Sequence, residues 1–344
     1  MIKLFRPLAK TSLILVYLVI IAGAVVRMTG SGMGCPDWPK CFGYYIPPTE
    51  ASELEWQPQR VFKEGQVIIR NESLWVATVD HVTGSTYNDA HWAAYQKHDY
   101  AIFNATHTWI EYINRLLGAL AGLATLFLAI ASCYYWKTDK KITIISWLIV
   151  IGMLFQGWLG ATVVYSVLLP VRITMHMMMA LVIVALLIYV LEKTSSKASL
   201  AVSARGIHQL LWLALGVTMV QIILGTQVRQ FVDDQIDQLG EQAKMLWLSQ
   251  PTVQFYIHRS ISILVVLLNA WIAYQIVSKK LGLNKIYWVL VLIGLEILSG
   301  IAMYYFDFPF GSQPLHLILA SLLFGLQFYL VLETQKNVTT IETL

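Results

Sequence analysis

The sequence predicts an all-α polytopic membrane protein, with eight transmembrane helices arranged as two duplicated four-helix bundles. Composition, apolar runs and an internal repeat each favour this class. Of the 344 residues, 57% are hydrophobic and 13% are charged, whereas a soluble domain has about 25% charged residues. These values exclude a disordered chain, a collagen and a disulfide scaffold, and we expect no nucleic-acid partner.

The apolar runs define the predicted spans. A spanning helix needs about 20 apolar residues, and eight runs of suitable length are present. They cover residues 12–28, 108–135, 142–164, 173–191, 207–228, 254–277, 285–305 and 314–332. The first run follows basic residues and contains Ala22-Gly23-Ala24, so a cleaved signal peptide is its alternative interpretation.

Basic residues concentrate in alternate connections, which predicts the orientation. They precede the first run and follow the second, fourth, sixth and eighth: Lys3, Arg6, Lys10, Lys137, Lys140, Lys141, Lys193, Lys197, Arg205, Lys279, Lys280, Lys285 and Lys336. The opposite loops carry acidic residues: Glu50, Glu53, Glu55, Asp233, Asp234 and Asp237. Short basic loops stay in the cytoplasm. We therefore expect a multi-pass protein of the cytoplasmic (inner) membrane, with both termini cytoplasmic.

The first outer loop, residues 30–104, is long for a membrane connector. It carries four tryptophans, Trp38, Trp56, Trp75 and Trp92, so part of it is expected to fold onto the membrane surface. The loop could simply place aromatic residues at the membrane interface, or it could act as a lid over a substrate, and both interpretations stay open. Within it, Cys35 and Cys41 bound the stretch Cys-Pro-Asp-Trp-Pro-Lys-Cys. An oxidising outer compartment favours a disulfide or a redox-active dithiol over free thiols or a metal site.

Three ordered landmarks indicate that the chain is a duplication. Gly23 to Arg27 matches Gly225 to Arg229, and Tyr112-Ile113-Asn114-Arg115 matches Tyr256-Ile257-His258-Arg259. Gly160 precedes His176 by sixteen residues, as Gly300 precedes His316. The predicted division is therefore an N-terminal bundle over residues 1–200 and a C-terminal bundle over residues 201–344, in parallel orientation.

Two histidines occupy corresponding positions in the C-terminal half. His258 and His316 lie near the outer ends of the sixth and eighth runs. Imidazoles that project inward from facing helices can ligate a haem iron from both sides. An interhelical hydrogen bond is the alternative for each histidine alone. No Asp or Glu is expected next to this pair to complete a carboxylate-rich metal site.

The N-terminal half differs at one ligand position. His176 matches His316, but Asn114 stands where the second half has His258. Glu111 lies one helical turn before Asn114 and could move protons if it is buried near a reacting carbon. A structural ion pair with Arg115 is the alternative. The pattern predicts one electron-transferring bundle and one reactive bundle with a single axial histidine.

Four arginines lie towards the outer membrane boundary: Arg27, Arg115, Arg229 and Arg259. A guanidinium group binds a carboxylate through two parallel hydrogen bonds, so haem propionates are plausible partners. Snorkelling to lipid headgroups is the alternative for Arg27 and Arg229.

These motifs resemble the haem A synthase family over nearly the whole chain except the long outer loop. The most specific stretch runs from Gly23 through Gly32 into Cys35 and Cys41. The resemblance implies that the C8 methyl group of haem O is oxidised, by successive hydroxylations and loss of water, to the formyl group of haem A. It implies haem b ligated by His258 and His316, substrate haem facing His176, Glu111 as the catalytic carboxylate, and Cys35 with Cys41 as the outer pair.

Asn114 departs from the family pattern, which has histidine after Glu-x-x. His176 could bind alone, His107 could substitute, or the chain could have lost activity; we favour the first. A b-type membrane cytochrome that passes electrons between quinone and an outer partner is the alternative function, and a transporter or haem-handling scaffold is a third. Expected partners are haem O, a haem O synthase, an electron acceptor and membrane lipid, and a homo-oligomer is compatible with the sequence.

Overall fold

The computed structural model describes residues 2–195 and 205–342, and within them eight helices are long and apolar enough to cross a membrane. This confirms the predicted polytopic helical class. The helices are α1 (Ile2–Met28), α2 (Ala105–Ser132), α3 (Lys140–Tyr165), α4 (Pro170–Lys193), α5 (Arg205–Leu239), α6 (Val253–Ser278), α7 (Ile286–Tyr305) and α8 (Ser312–Glu342).

Three helices extend well beyond their apolar runs, and α8 does so by ten residues, to Glu342. Helix α1 begins ten residues before its run, and the guanidinium of Arg6 donates to the carbonyl of Leu191 at the end of α4 (3.2 Å). Helix α5 continues for eleven residues past its run, where Arg229 and Asp233 form an ion pair of 2.7 Å. The acidic residues 233–237 therefore belong to a helix and not to a loop. Hydropathy detects only the apolar part of a helix, whereas pairs four residues apart stabilise its polar end.

The long outer segment contains two small antiparallel sheets. In the first, β1 (Val61–Phe62) pairs with β4 (His81–Val82). In the second, the strand order is β2 (Val67–Arg70), β3 (Ser73–Ala77) and β5 (Trp92–Ala94). Asn71 and Glu72 connect β2 to β3 with positive φ values of 52° and 57°, the backbone that a tight two-residue hairpin requires.

Three of the four outer tryptophans belong to a core within this segment. Trp92 is buried with Phe62 and Ile68, and Trp56 and Trp75 pack against them. These three tryptophans therefore stabilise the fold of the segment, and its expected contact with the membrane surface stays a prediction. Trp38 differs, since 41% of it is exposed.

The chain forms two compact units. One comprises residues 1–17, 124–151 and 177–344, and the other comprises residues 18–123 and 152–176. Within the first, α5 packs against α6 and α8, and α7 packs against the same two helices, so the four close into a bundle. Its core includes the fully buried Leu211, Ile272 and Leu330. The second unit contains the outer sheets and one end of each of the helices α1–α4. The predicted boundary between the halves, at residue 200, lies outside the described residues and stays a prediction.

Candidate functional site

The same glycine contact recurs in four helix pairs: α1 with α2, α3 with α4, α5 with α6, and α7 with α8. The glycine of the odd-numbered helix lies beside the residue at the predicted ligand position of the next helix. In the N-terminal half, a Cβ atom built on Gly23 would lie 4.0 Å from Oδ1 of Asn114, and one built on Gly160 would lie 3.5 Å from Cε1 of His176. In the C-terminal half, the corresponding distances are 3.2 Å from Gly225 to Cε1 of His258 and 3.8 Å from Gly300 to Cε1 of His316. An added methyl group would crowd the His258 ring at Gly225, and at the other three glycines it would be in van der Waals contact with the neighbouring group. These contacts support the duplication inferred from sequence.

The spacing of the histidine pair suits one metal ion between two rings. The ring centres of His258 and His316 are 6.4 Å apart, with their planes inclined at 71°. A metal lies about 2 Å from an imidazole nitrogen, which is about 1 Å from its ring centre, so two rings on opposite sides of one metal have centres about 6 Å apart. The pair therefore fits axial ligation of a single iron.

A carboxylate that sequence reasoning missed contacts this pair. Oε2 of Glu296 lies 2.7 Å from Nδ1 of His316, and Oγ of Ser299 lies 2.8 Å from the same nitrogen. The expectation that no Asp or Glu stands beside the histidines is therefore wrong. Glu296 is the only acidic residue of the seventh apolar run. An ionisable residue inside a span is costly and is usually functional, and this signal could have identified it.

Two glutamines hold the backbones of the other histidines. Nε2 of Gln221 donates to the carbonyl of His258 (2.8 Å), and Nε2 of Gln156 donates to the carbonyl of His176 (2.9 Å). The Nδ1 atoms of both histidines are buried without a hydrogen-bond partner among the described residues, and so is Oδ1 of Asn114. Buried polar atoms without protein partners are uncommon, and they suit a site built for a ligand.

Glu111 joins α2 to the segment that the two cysteines bound. It is 4% exposed, and its Oε2 accepts a hydrogen bond from the backbone N–H of Cys35 (2.8 Å). Its Oε1 pairs with Nη2 of Arg115 (2.5 Å). Arg115 also donates to the carbonyls of Cys35 (3.0 Å), Asp37 (2.6 Å) and Lys40 (2.9 Å). The predicted ion pair is thus present, as part of a larger network.

The segment between the cysteines is closed by a disulfide and by hydrogen bonds. Cys35 and Cys41 form the predicted disulfide, and both are buried. The carboxylate of Asp37 accepts from the N–H groups of Phe42 (2.5 Å) and Gly43 (2.8 Å). Burial raises the pKa of Asp37, while these two N–H groups and the Arg115 charge oppose the rise. We call residues 34–43 the disulfide loop.

The remaining predicted residues lie in less enclosed surroundings. Arg259 is exposed, and its guanidinium lies 5.8 Å from the ring centre of Tyr304. His107 lies in the first turn of α2, where its backbone N–H donates to Oδ1 of Asn104 (3.2 Å). The propionate-binding roles of Arg115 and Arg259 stay predictions, as does substitution by His107.

Comparison with known proteins gives a consistent result. The family model described as COX15-CtaA, cytochrome oxidase assembly protein, matches residues 7–79 and 64–328. The chain is 24% identical to the Heme A synthase of Rickettsia prowazekii, over 92% of this chain and 93% of that protein. It is 23% identical to the Heme A synthase of Ehrlichia canis, over 92% and 89%. The match to the Heme A synthase of Shewanella oneidensis, at 26% identity, covers 63% of this chain and about half (54%) of that protein.

Proposed function

This chain belongs to the COX15-CtaA family of cytochrome oxidase assembly proteins, and we propose that it is a haem A synthase. The reaction oxidises the C8 methyl group of haem O to a formyl group by successive hydroxylations and loss of water. The observation that carries the proposal is the histidine pair of α6 and α8, with ring centres 6.4 Å apart. That spacing favours a haem protein, and the relatives named Heme A synthase specify the reaction.

In this proposal His258 and His316 hold a haem b. Support comes from the ring separation and from Gly225 and Gly300, whose missing side chains leave room beside the two rings. Haem b supplies one-electron transfer when it is bound. With both imidazoles bound to its iron, such a haem would have no site left for water or substrate at the metal.

The substrate haem O belongs to the N-terminal half, where His176 faces it. Gly160 lies beside the His176 ring, and the backbone of His176 is held by Gln156. Asn114 occupies the second ligand position, and an amide is a poor ligand for iron. The substrate is therefore held through one imidazole, in contrast to the haem b of the C-terminal half.

Glu111 is the proposed catalytic carboxylate. Arg115 holds its Oε1, while its Oε2 accepts a hydrogen bond from the N–H of Cys35. A carboxylate oxygen has two lone pairs, so Oε2 retains the capacity to accept a proton released during oxidation of the methyl group. The ion pair and the catalytic role are therefore compatible in one residue.

Arg115 and Arg259 are the proposed contacts of haem propionates. Arg259 is exposed, so its donors are accessible to a propionate. Arg115 already directs both terminal nitrogens to Glu111 and the disulfide loop, so its main action is to hold Glu111 and that loop in place.

We also propose the cytoplasmic membrane as the location, with both termini cytoplasmic, on the distribution of basic residues. The chain consumes haem O, so another enzyme must supply it, and the electrons removed from the methyl group must pass to an acceptor. A haem O synthase and an electron acceptor are therefore the proposed partners.

Expression in a host that makes haem O but no haem A tests the function. Extracted haems are separated and analysed by mass. We expect formyl haem from the parent chain, loss of it from Glu111→Gln, and retention in Glu55→Gln, which replaces an exposed outer carboxylate. Unchanged haem O in the parent strain would contradict the proposal and favour the b-type cytochrome.

A further inference from the structure

On α3, α5 and α7, a glycine lies beside a histidine ring, and the residue four positions before that glycine is not the same on all three helices. It is glutamine on α3 and α5, namely Gln156 and Gln221, and both amides donate to the backbone carbonyl of a histidine. On α7 it is Glu296. An ionised carboxylate has no proton to donate, so it cannot reproduce that contact, and its Oε2 lies instead 2.7 Å from the ring nitrogen of His316.

We propose that Glu296 is a positioning residue for His316: its carboxylate accepts the Nδ1–H of the ring and leaves Nε2 for iron. This inference rests on the proposed haem b site. Metal-bound histidines commonly donate their other ring N–H to a carboxylate, which fixes the tautomer and makes the ring a stronger donor. Glu296 thus sets the orientation of the ring and the electron density that it gives to the metal.

The surroundings hold the carboxylate in this position. The side chain of Glu296 is 15% exposed, and Oγ of Ser299 donates to the Glu296 carbonyl (2.9 Å) while lying 2.8 Å from Nδ1 of His316. The partner ring differs, because Nδ1 of His258 has no hydrogen-bond partner among the described residues. The two imidazoles are therefore unequal at Nδ1, since among the described residues only that of His316 contacts an acidic side chain.

The carboxylate also affects the equilibrium between the two oxidation states of iron. A negative charge near a metal favours the state of higher positive charge, and a more basic imidazole acts in the same direction. Glu296 therefore lowers the reduction potential of the proposed haem b. It makes that haem a weaker electron acceptor and a stronger donor than it would be with a glutamine on α7, as on α3 and α5.

The test uses the purified full chain in detergent with Glu296→Gln, which restores the amide found on α3 and α5. The matched control is Glu333→Gln, which removes a carboxylate of α8 that pairs with Lys285 (3.0 Å). Visible spectra report ligation, a redox titration gives the midpoint potential, and electron paramagnetic resonance reports the donor strength of the axial rings. We expect Glu296→Gln to retain the six-coordinate spectrum with a higher midpoint potential and altered g values, and Glu333→Gln to match the parent.

An unchanged potential in haem-loaded Glu296→Gln would overturn this inference and leave the proposed function standing. A parent chain without haem, or His316→Ala with an unaltered spectrum, would instead overturn the proposed haem b site. If Glu296→Gln does not fold, Glu296→Asp decides, because it keeps the charge but shortens the side chain. We expect its potential to exceed that of the parent, and equality would reject the positioning role.

Discussion

Arg115 connects α2 to the disulfide loop, and replacing it with methionine should expose the Cys35–Cys41 bond to reductant. The guanidinium donates to three loop carbonyls and to Glu111. Methionine has a similar length and suits an apolar setting, but it donates none of these hydrogen bonds. Because both cysteines are buried, reduction of the disulfide requires local opening of the loop.

The size of the effect follows from what the substitution leaves behind. Removing one partner of a buried ion pair costs about 3–5 kcal/mol. The side chain of Arg115 is 14% exposed, so water can enter and replace part of the lost contacts, and we take the lower value. A decrease of about 3 kcal/mol in the opening free energy raises the open population about a hundredfold, since each 1.4 kcal/mol is a factor of ten.

The assay measures the rate of disulfide reduction by a phosphine, with alkylation of the released thiols and mass detection. We expect Arg115→Met to react about a hundredfold faster than the parent, in the regime where cleavage follows the open population. Arg172→Met is the control, because Arg172 donates to the carbonyl of Thr162 (2.7 Å), which lies outside the disulfide loop. Equal rates for Arg115→Met and the parent, or equal acceleration by the control, would refute the reasoning.

Three further predictions concern other parts of the chain. Asn114→His should give the N-terminal half a second axial imidazole opposite His176, seen as an added low-spin signal when haem O is bound; an unchanged spectrum would reject this geometry. Asn269→Leu removes the acceptor of the buried amide of Gln327 (3.0 Å) and should cost about 1–3 kcal/mol, measured by unfolding in detergent. Hydrogen bonds from backbone N–H groups to the carboxylate of Glu53 lower its pKa, and the bond from Thr49 contributes most. The stability that this carboxylate contributes is therefore present above its unfolded pKa and lost as the pH falls through its folded pKa. The loss should appear as a lower protection factor of the Thr49 amide, that is, faster exchange relative to its intrinsic rate at the same pH.

The sequence predicts the helical framework and the positions of the histidines well. Spans are detectable because each contains an uninterrupted apolar stretch, and His176, His258 and His316 are visible because the repeat aligns them. The predicted disulfide and the family membership are both confirmed. The helix ends at Met28 and Tyr305 are also predicted correctly, because polar or turn-forming residues follow them.

The features that sequence reasoning missed depend on rotation and on weak local signals. Periodicity does not fix how α7 is rotated against α8, so the contact between Glu296 and His316 could not be found from spacing alone. The outer strands are two to five residues long, too short for a clear alternating pattern. The two interpretations of Glu111 could not be separated either, because both require the same residue type on the same face of α2.

The network around Cys35 imposes an order on biosynthesis. Its N–H and C=O groups bind Glu111 and Arg115, and Glu111 lies 76 residues further along the chain. At a synthesis rate of about 5–20 residues per second, about 4–15 seconds separate the emergence of the two partners. During that interval α2 has not yet covered the thiols of Cys35 and Cys41, so they are more accessible to an oxidising catalyst than in the folded protein. If the disulfide forms before the second span is made, the folded protein does not have to open the disulfide loop again to become oxidised.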